Sequence, residues 1–176
     1  MISTPFIITE IGQAHDGSLG VAHSFIDALS DTGVDAIKFQ VHFADAESSI
    51  HEKFRTKFSY QDKTRFDYWK RMEFTEDQWK GLKNHCDEKG IEFLASPFSI
   101  KAFEILERLE VKRFKIGSGE AKNYLLLDRI STTKKPIILS TGLINNSDLE
   151  KTCSVLKNNN CDFSLLQCTT SYPTIP

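Results

Sequence analysis

The sequence predicts an α/β fold built on parallel strands, and three observations lead to it. Five short apolar runs each end in small, hydroxylic or charged residues: Thr9-Glu10-Ile11-Gly12, Lys38-Phe39-Gln40, Ser96-Pro97-Phe98-Ser99, Lys115-Ile116-Gly117-Ser118-Gly119-Glu120 and Ser140-Thr141-Gly142. A segment with helical spacing follows nearly every one of them. Strand, polar strand end, loop and helix make the βα unit of a parallel sheet, in which ligands bind where the strands end. The third observation is alternation. Successive side chains of a strand point to opposite faces, and here the polar residues fall together on one face.

Residues 6–11 read as the first strand and 17–32 as the first helix, with Val21, Phe25 and Leu29 on one stripe and Gly33 placed to end it. The second strand covers 35–41. The next helix opens at Thr75, with Gln78 three residues on as a capping box; it should bury Trp79, Leu82 and Cys86 and stop at Gly90. A third strand at 91–95 leads to a helix after Ser99, with Ala102, Ile105, Leu106 and Leu109 at helical spacing. The fourth strand is 113–116, a short helix covers 124–132, and the fifth strand is 136–139. Ser147 and Glu150 are expected to cap a helix that turns Leu149, Cys153 and Leu156 inward, before a sixth strand at 162–168. One connection, residues 43–73, is far longer than the usual 2–6 residues of a βα loop. Its mixture of bases, acids and aromatics reads either as a decorated surface loop or as a lid or subunit contact.

Alternation also selects the architecture. In the second strand Ile37, Phe39 and Val41 share one face and Ala36, Lys38 and Gln40 the other. The same parity pairs Ile8 with Glu10, Leu94 with Ser96 and Ile138 with Ser140, and sets Lys115 opposite Phe114 and Ile116. An open sheet covered by helices on both faces asks for strands apolar on both sides. A (β/α)8 TIM-type barrel meets helices only on the outside, and its inner face can turn polar at the top layer. The barrel is therefore the expected fold, with Lys38 and Lys115 converging on one basic pocket. A complete barrel takes eight units and about 250 residues, whereas these 176 residues supply six strands. The expectation is the N-terminal part of a barrel over 1–176, with the last two strands absent and two strand edges left unpaired.

Composition narrows the partners. With 40% hydrophobic and 26% charged residues, the chain is an ordinary soluble protein with one buried core. A formal net charge of -2 without a basic block argues against nucleic acid. No apolar stretch reaches the roughly 20 residues that span a bilayer, and the first residues have neither a basic n-region nor an h-region, so no membrane association and a cytoplasmic location are expected. Cys86, Cys153, Cys161 and Cys168 lack CxxC spacing and read as reduced core thiols.

Six segments in order carry a resemblance: Glu10-Ile11-Gly12-Gln13-Ala14-His15, Lys38-Phe39-Gln40, Ser96-Pro97-Phe98, Phe114-Lys115-Ile116-Gly117-Ser118-Gly119-Glu120, Ile138-Leu139-Ser140-Thr141-Gly142 and Gln167-Cys168-Thr169-Thr170-Ser171-Tyr172-Pro173-Thr174. Together they resemble the sialic acid (N-acetylneuraminate) synthase family, which includes legionaminic and pseudaminic acid synthases, over nearly the whole chain. The resemblance implies an enzyme that condenses phosphoenolpyruvate with an N-acetylmannosamine-type sugar to a nine-carbon 2-keto sugar acid, releasing phosphate. It also implies a divalent metal, Mn or Mg, held by two histidines after strand seven and on strand eight, outside these residues. His15, His23, His42, His51 and His85 do not fill that place. A homodimer is implied for the full-length protein, in which a small C-terminal antifreeze-like domain, absent here, closes the partner's site.

The chemistry explains the residue types. Phosphoenolpyruvate carries a carboxylate and a phosphate, so its site needs local positive charge and hydrogen-bond donors. Lys38 and Lys115 are the natural candidates, although a lone lysine at a strand end also reads as a snorkelling surface residue. Ser96, Ser118 and Ser140 can donate hydroxyls, and Gly117 and Gly119 let backbone N–H groups approach an anion. By resemblance these lysines and serines, with Thr170, bind phosphoenolpyruvate, while Glu10, Gln40, Glu120 and Tyr172 contact the sugar. Glu10 is then the carboxylate nearest the reacting centre, and Glu10, Lys38, Lys115 and Glu120 form the catalytic set. Glu120 reads equally as a capping or ion-paired carboxylate, and Asn123 as a helix N-cap.

Two alternatives stay open from the residues alone. Lys115 could be the Schiff-base lysine of an aldolase-type barrel. The chain could also be a non-catalytic, truncated piece that binds phosphate-bearing ligands or is completed by a second polypeptide.

Overall fold

A computed structural model of the chain describes residues 4–54, 56–171 and 173–174. It divides into two compact units, Met1–Glu110 and Val111–Pro176. Both are α/β with parallel strands.

The N-terminal unit begins with β1 (Ile8–Gly12), α1 (Leu19–Ser30) and β2 (Ala36–Val41), and closes with β3 (Glu92–Pro97) and α5 (Ile100–Arg108). The strands run parallel in the order β1-β2-β3, with Glu10 level with Lys38 and Lys38 with Leu94, and with Gln40 level with Ser96. Ile37, Phe39 and Val41 are fully buried, as the alternation requires. The three strands are shifted by a residue or two from their expected limits, because inter-strand pairing and not apolarity sets where each ends.

Ser18 caps α1 by accepting the Val21 N–H. The helix turns Ala22 and Ile26 into the core and leaves Val21 43% exposed, one position round from the expected stripe. At 100° per residue that single step moves Val21 out of the contact. Elsewhere the expected local signals hold. In α4 (Glu76–Glu88) the Thr75 hydroxyl accepts the Gln78 N–H, Gln78 Oε1 accepts the Thr75 N–H, and Trp79, Leu82 and Cys86 are buried. Ser99 caps α5 over buried Ala102, Ile105 and Leu106.

The long connection is not a bare loop. It contains α2 (Ala44–Glu47) and α3 (Arg65–Met72), the latter opened by a Thr64/Asp67 capping box. Arg71 ties α3 down, with its guanidinium on the Asp62 carboxylate and on Asp16 in the turn after β1. Gly17 makes that approach possible. Its φ is +77°, and a Cβ there would sit 2.3 Å from the Arg71 carbonyl oxygen. Gly17→Ala is therefore expected to cost about 2–4 kcal/mol, combining left-handed strain with a backbone clash. An unchanged urea midpoint would refute this.

The C-terminal unit holds β4 (Phe114–Ile116), α6 (Tyr124–Ser131), β5 (Ile137–Ser140), α7 (Asn146–Asn158) and β6 (Phe163–Leu166), with parallel order β4-β5-β6. Two expectations about α7 are corrected here. Its cap is Asn145, whose side chain accepts the Asp148 N–H at 2.8 Å, so Ser147 already lies inside the helix. Its buried residues are Thr152 and Leu156, while Leu149 and Cys153 are half-buried. The Thr152 hydroxyl reaches the Ala121 carbonyl at 2.8 Å, which lets a polar residue take the inward place. In β6, last in its sheet, Leu165 and Leu166 are 44 and 40% exposed.

The four cysteines are free thiols. Burial pushes the Cys86 thiol up to about 12, and Cys161 is buried as well, but Cys153 and Cys168 are only half-buried. Among the described residues no helix is long and apolar enough to cross a membrane.

Candidate functional site

The polar strand ends form a cluster within each unit. In the N-terminal unit, parallel register puts Glu10 and Lys38 on the same face of neighbouring strands, and the Lys38 ammonium pairs with Glu10 Oε2. Lys38 is 9% exposed, whereas the Glu10 side chain is 47% exposed, so the pair has a buried cationic end and an open anionic one. Gln40 lies one step further along β2, with its Nε2 3.5 Å from Glu10 Oε1. Ser96 stands level with Gln40 on β3 and is buried.

His15 follows the bend after β1. Its Nδ1 accepts the Gly17 N–H at 3.1 Å and its ring lies against Phe74. Burial lowers its pKa to about 4, which keeps the ring neutral. It therefore serves as a hydrogen-bonding residue of the turn.

In the C-terminal unit, Lys115 points to the face opposite the fully buried Phe114 and Ile116 and is itself only 7% exposed. It donates to Ser140 Oγ at 2.6 Å and to the Ile116 carbonyl at 2.8 Å. No carboxylate lies within ion-pairing distance of it among the described residues. Desolvation lowers its pKa to about 8, slightly offset by Cys168. The charged form is disfavoured there, since burial strips water from the ammonium and the described residues supply no carboxylate beside it.

The other residues of this unit gather around the same strand ends. The Ser118 hydroxyl accepts the Gly142 N–H at 3.1 Å, and the Thr170 hydroxyl reaches the Gly142 carbonyl at 3.4 Å. Only a glycine fits between them, since a Cβ at Gly142 would meet the Cys168 carbonyl oxygen and Thr170 Cγ2 at 2.9 Å. Glu120 accepts from Asn123 Nδ2 at 2.7 Å, and Asn123 Oδ1 accepts the Leu126 N–H as the N-cap of α6. Asn123 is thus a cap that also holds Glu120, which accounts for both residues without a ligand. Tyr172 lies outside the described residues.

A residue absent from the expected set stands beside the N-terminal cluster of Glu10, Lys38 and Gln40. His42, just after β2, is buried, and it contacts Glu47, Gln40, Trp69 and Phe98. Nothing in its immediate sequence flags it, because two of those partners come from α3 and from the end of β3.

The model of the NeuB family matches residues 25–176. The chain belongs to the NeuB family. Among its NeuB-type relatives, the N-acetylneuraminate-9-phosphate synthase of Mus musculus is 34% identical over 174 residues, covering 97% of this chain and 48% of that protein. The N,N'-diacetyllegionaminic acid synthase of Campylobacter jejuni is 35% identical over 173 residues, covering 95% of this chain and 52% of that protein. The crystal structure of N-acetylneuraminic acid (sialic acid) synthetase from Leptospira borgpetersenii, in complex with citrate, superposes with a TM-score of 0.84 at 29% identity, over 98% of this chain and 57% of that one. The chain spans about half the length of the curated relatives it matches.

Metal is a separate matter. Among the described residues no His, Cys, Asp or Glu side chains group in threes as a bound ion would need. A divalent ion therefore does not fit the described residues.

Proposed function

We propose that this chain is the N-terminal part of a (β/α)8 barrel whose complete enzyme condenses phosphoenolpyruvate with an N-acetylmannosamine-type sugar, giving a nine-carbon 2-keto acid and phosphate. Lys115 carries the reading: it is a buried ammonium at a strand end, oriented by Ser140 and without a counter-ion among the described residues, in a member of a family whose relatives are named sialic and legionaminic acid synthases. Lys38 and Lys115 hold the anionic groups of phosphoenolpyruvate, with Ser96, Ser118, Ser140 and Thr170 as donors. Glu10, already beside Lys38, is the carboxylate nearest the reacting centre, and Gln40, Glu120 and Tyr172 contact the sugar. A Mn or Mg ion held by segments beyond these residues, a homodimer and a cytoplasmic location belong to the same proposal.

The lowered pKa of Lys115 provides the test. The protonated amine is the binding form, and a bound anion stabilises that form and raises the pKa above its free value of about 8. Affinity for phosphoenolpyruvate should be flat below about pH 7.5 and fall as pH rises through 8, by up to about tenfold per pH unit until the bound-state pKa is reached. Calorimetric titration at several pH values checks this, and pH-independent binding between 7 and 9.5 would refute it.

One observation favours a second reading. An amine with a pKa near 8 is partly unprotonated at neutral pH, as a Schiff-base lysine requires. Borohydride trapping with pyruvate separates the two, since a covalent adduct on Lys115 found by mass spectrometry would replace condensation by aldolase chemistry.

A further inference from the structure

His42 is 3% exposed and is held on every side. Its Nδ1 lies 2.9 Å from Glu47 Oε2 and its Nε2 lies 3.3 Å from Gln40 Oε1. Trp69 and Phe98 stack on the ring at centroid distances of 3.8 and 4.1 Å, with interplanar angles of 15° and 19°, so one covers each face. Both ring nitrogens thus face acceptors, a carboxylate oxygen and an amide oxygen. A neutral imidazole has one N–H and satisfies one of them; the doubly protonated ring satisfies both.

The orientation of Gln40 follows from this. With its carbonyl on His42, its NH2 faces Glu10 Oε1, and the other Glu10 oxygen takes the Lys38 ammonium. Turned over, the amide would set its oxygen against the Glu10 carboxylate, acceptor on acceptor. The contacts from Glu47 through His42 and Gln40 to Glu10 therefore have one consistent order of donors and acceptors.

We propose that His42 is the positioning residue for Gln40: clamped by Glu47 between Trp69 and Phe98, its Nε2 side holds the amide carbonyl and keeps the Gln40 NH2 turned toward Glu10. The charged and titratable groups around the ring are Glu47 on α2, Glu10 and Lys38 beyond Gln40, and the neutral His15 in the turn after β1. From α3 and the end of β3, Trp69 and Phe98 lie against it. The consequence for sugar binding rests on the function proposed above; the donor order is a property of the N-terminal unit alone.

Nitrogen NMR of the glutamine side chains tests the inference. In His42→Asn the Gln40 side-chain amide signal, identified by its loss in Gln40→Ala, should move, and Glu47→Gln, which loosens the clamp on the ring, should move it in the same direction. A Gln40 amide indifferent to both changes overturns the proposal. By calorimetry, His42→Asn should weaken binding of N-acetylmannosamine about tenfold without changing that of phosphoenolpyruvate, and His42→Gln, which keeps a donor near the Nε2 position, should recover part of the loss. Equal sugar affinity in wild type and His42→Asn also overturns it. If phosphoenolpyruvate does not bind while the Gln40 amide moves in both variants, the functional reading fails and the positioning role stands.

Discussion

Replacing Lys115 with Met is expected to weaken phosphoenolpyruvate binding by about 1.5–3 kcal/mol, roughly 10- to 150-fold, while making the protein more stable. The two effects have one cause. Lys115 is buried and its ammonium has no counter-ion within the described residues, so the fold holds the charged form at a disadvantage that a bound anion would remove. The folded pKa of about 8 lies below the unfolded value, so the cost is complete below pH 8 and disappears as pH rises toward the unfolded pKa of about 10.5. A depression of this size corresponds to about 3 kcal/mol. Loss of the hydrogen bonds to Ser140 and to the Ile116 carbonyl offsets part of it, leaving a net gain of about 1–2 kcal/mol in Lys115→Met at pH 7. Thermal melts of wild type and variant at pH 7 and pH 10 should differ by a few degrees at the lower pH and converge at the higher one. Unchanged affinity together with a lower melting temperature would make Lys115 a structural residue.

Trp79→Ala should have the largest effect on stability. Trp79 is fully buried on α4 and meets Phe39, Phe74 and Phe93 edge-on at centroid distances of 6.0, 5.1 and 6.3 Å. Truncation removes an aromatic side chain and leaves a cavity among rings that cannot collapse onto it, costing about 3–5 kcal/mol. That is a large share of the roughly 5–15 kcal/mol that holds a typical domain folded. Trp79→Phe is the informative control. The indole N–H is buried without a hydrogen-bond partner among the described residues, so removing it relieves a penalty of about 1–3 kcal/mol that counters the lost volume. The Phe variant should therefore lie within about 1.5 kcal/mol of wild type in urea unfolding. A loss as great as that of Ala would mean that the indole N–H is satisfied in solution.

Glu10 and Lys38 show what could be read from the chain before any coordinates. Their parity within separate strands placed them on one face, and parallel pairing then made them neighbours. Ser140 beside Lys115 is the same case. Caps were legible for a similar reason: Thr75 with Gln78, and Ser99 and Asn123, act within three residues of themselves. The misplacements were also local. Asn145 and Ser147 both suit an N-cap, and the apolar stripe of α1 has neighbours one position away that serve as well, so the choice fell to contacts beyond the helix.

The sequence by itself determined the order of the six strands and of α1 and α4 to α7, the shared polar parity of Lys38 and Lys115 within their strands, and the membership of the family, but not α2 and α3, because hydrophobic period, capping and motif order are properties of neighbouring residues. Only the tertiary structure decided that Trp69 and Phe98 enclose His42, that Arg71 reaches back to Asp16, and that Lys115 sits dry enough to lose part of its basicity. Stacking, docking and desolvation depend on segments distant in the chain packing against one another, and no local pattern encodes the distance at which they meet.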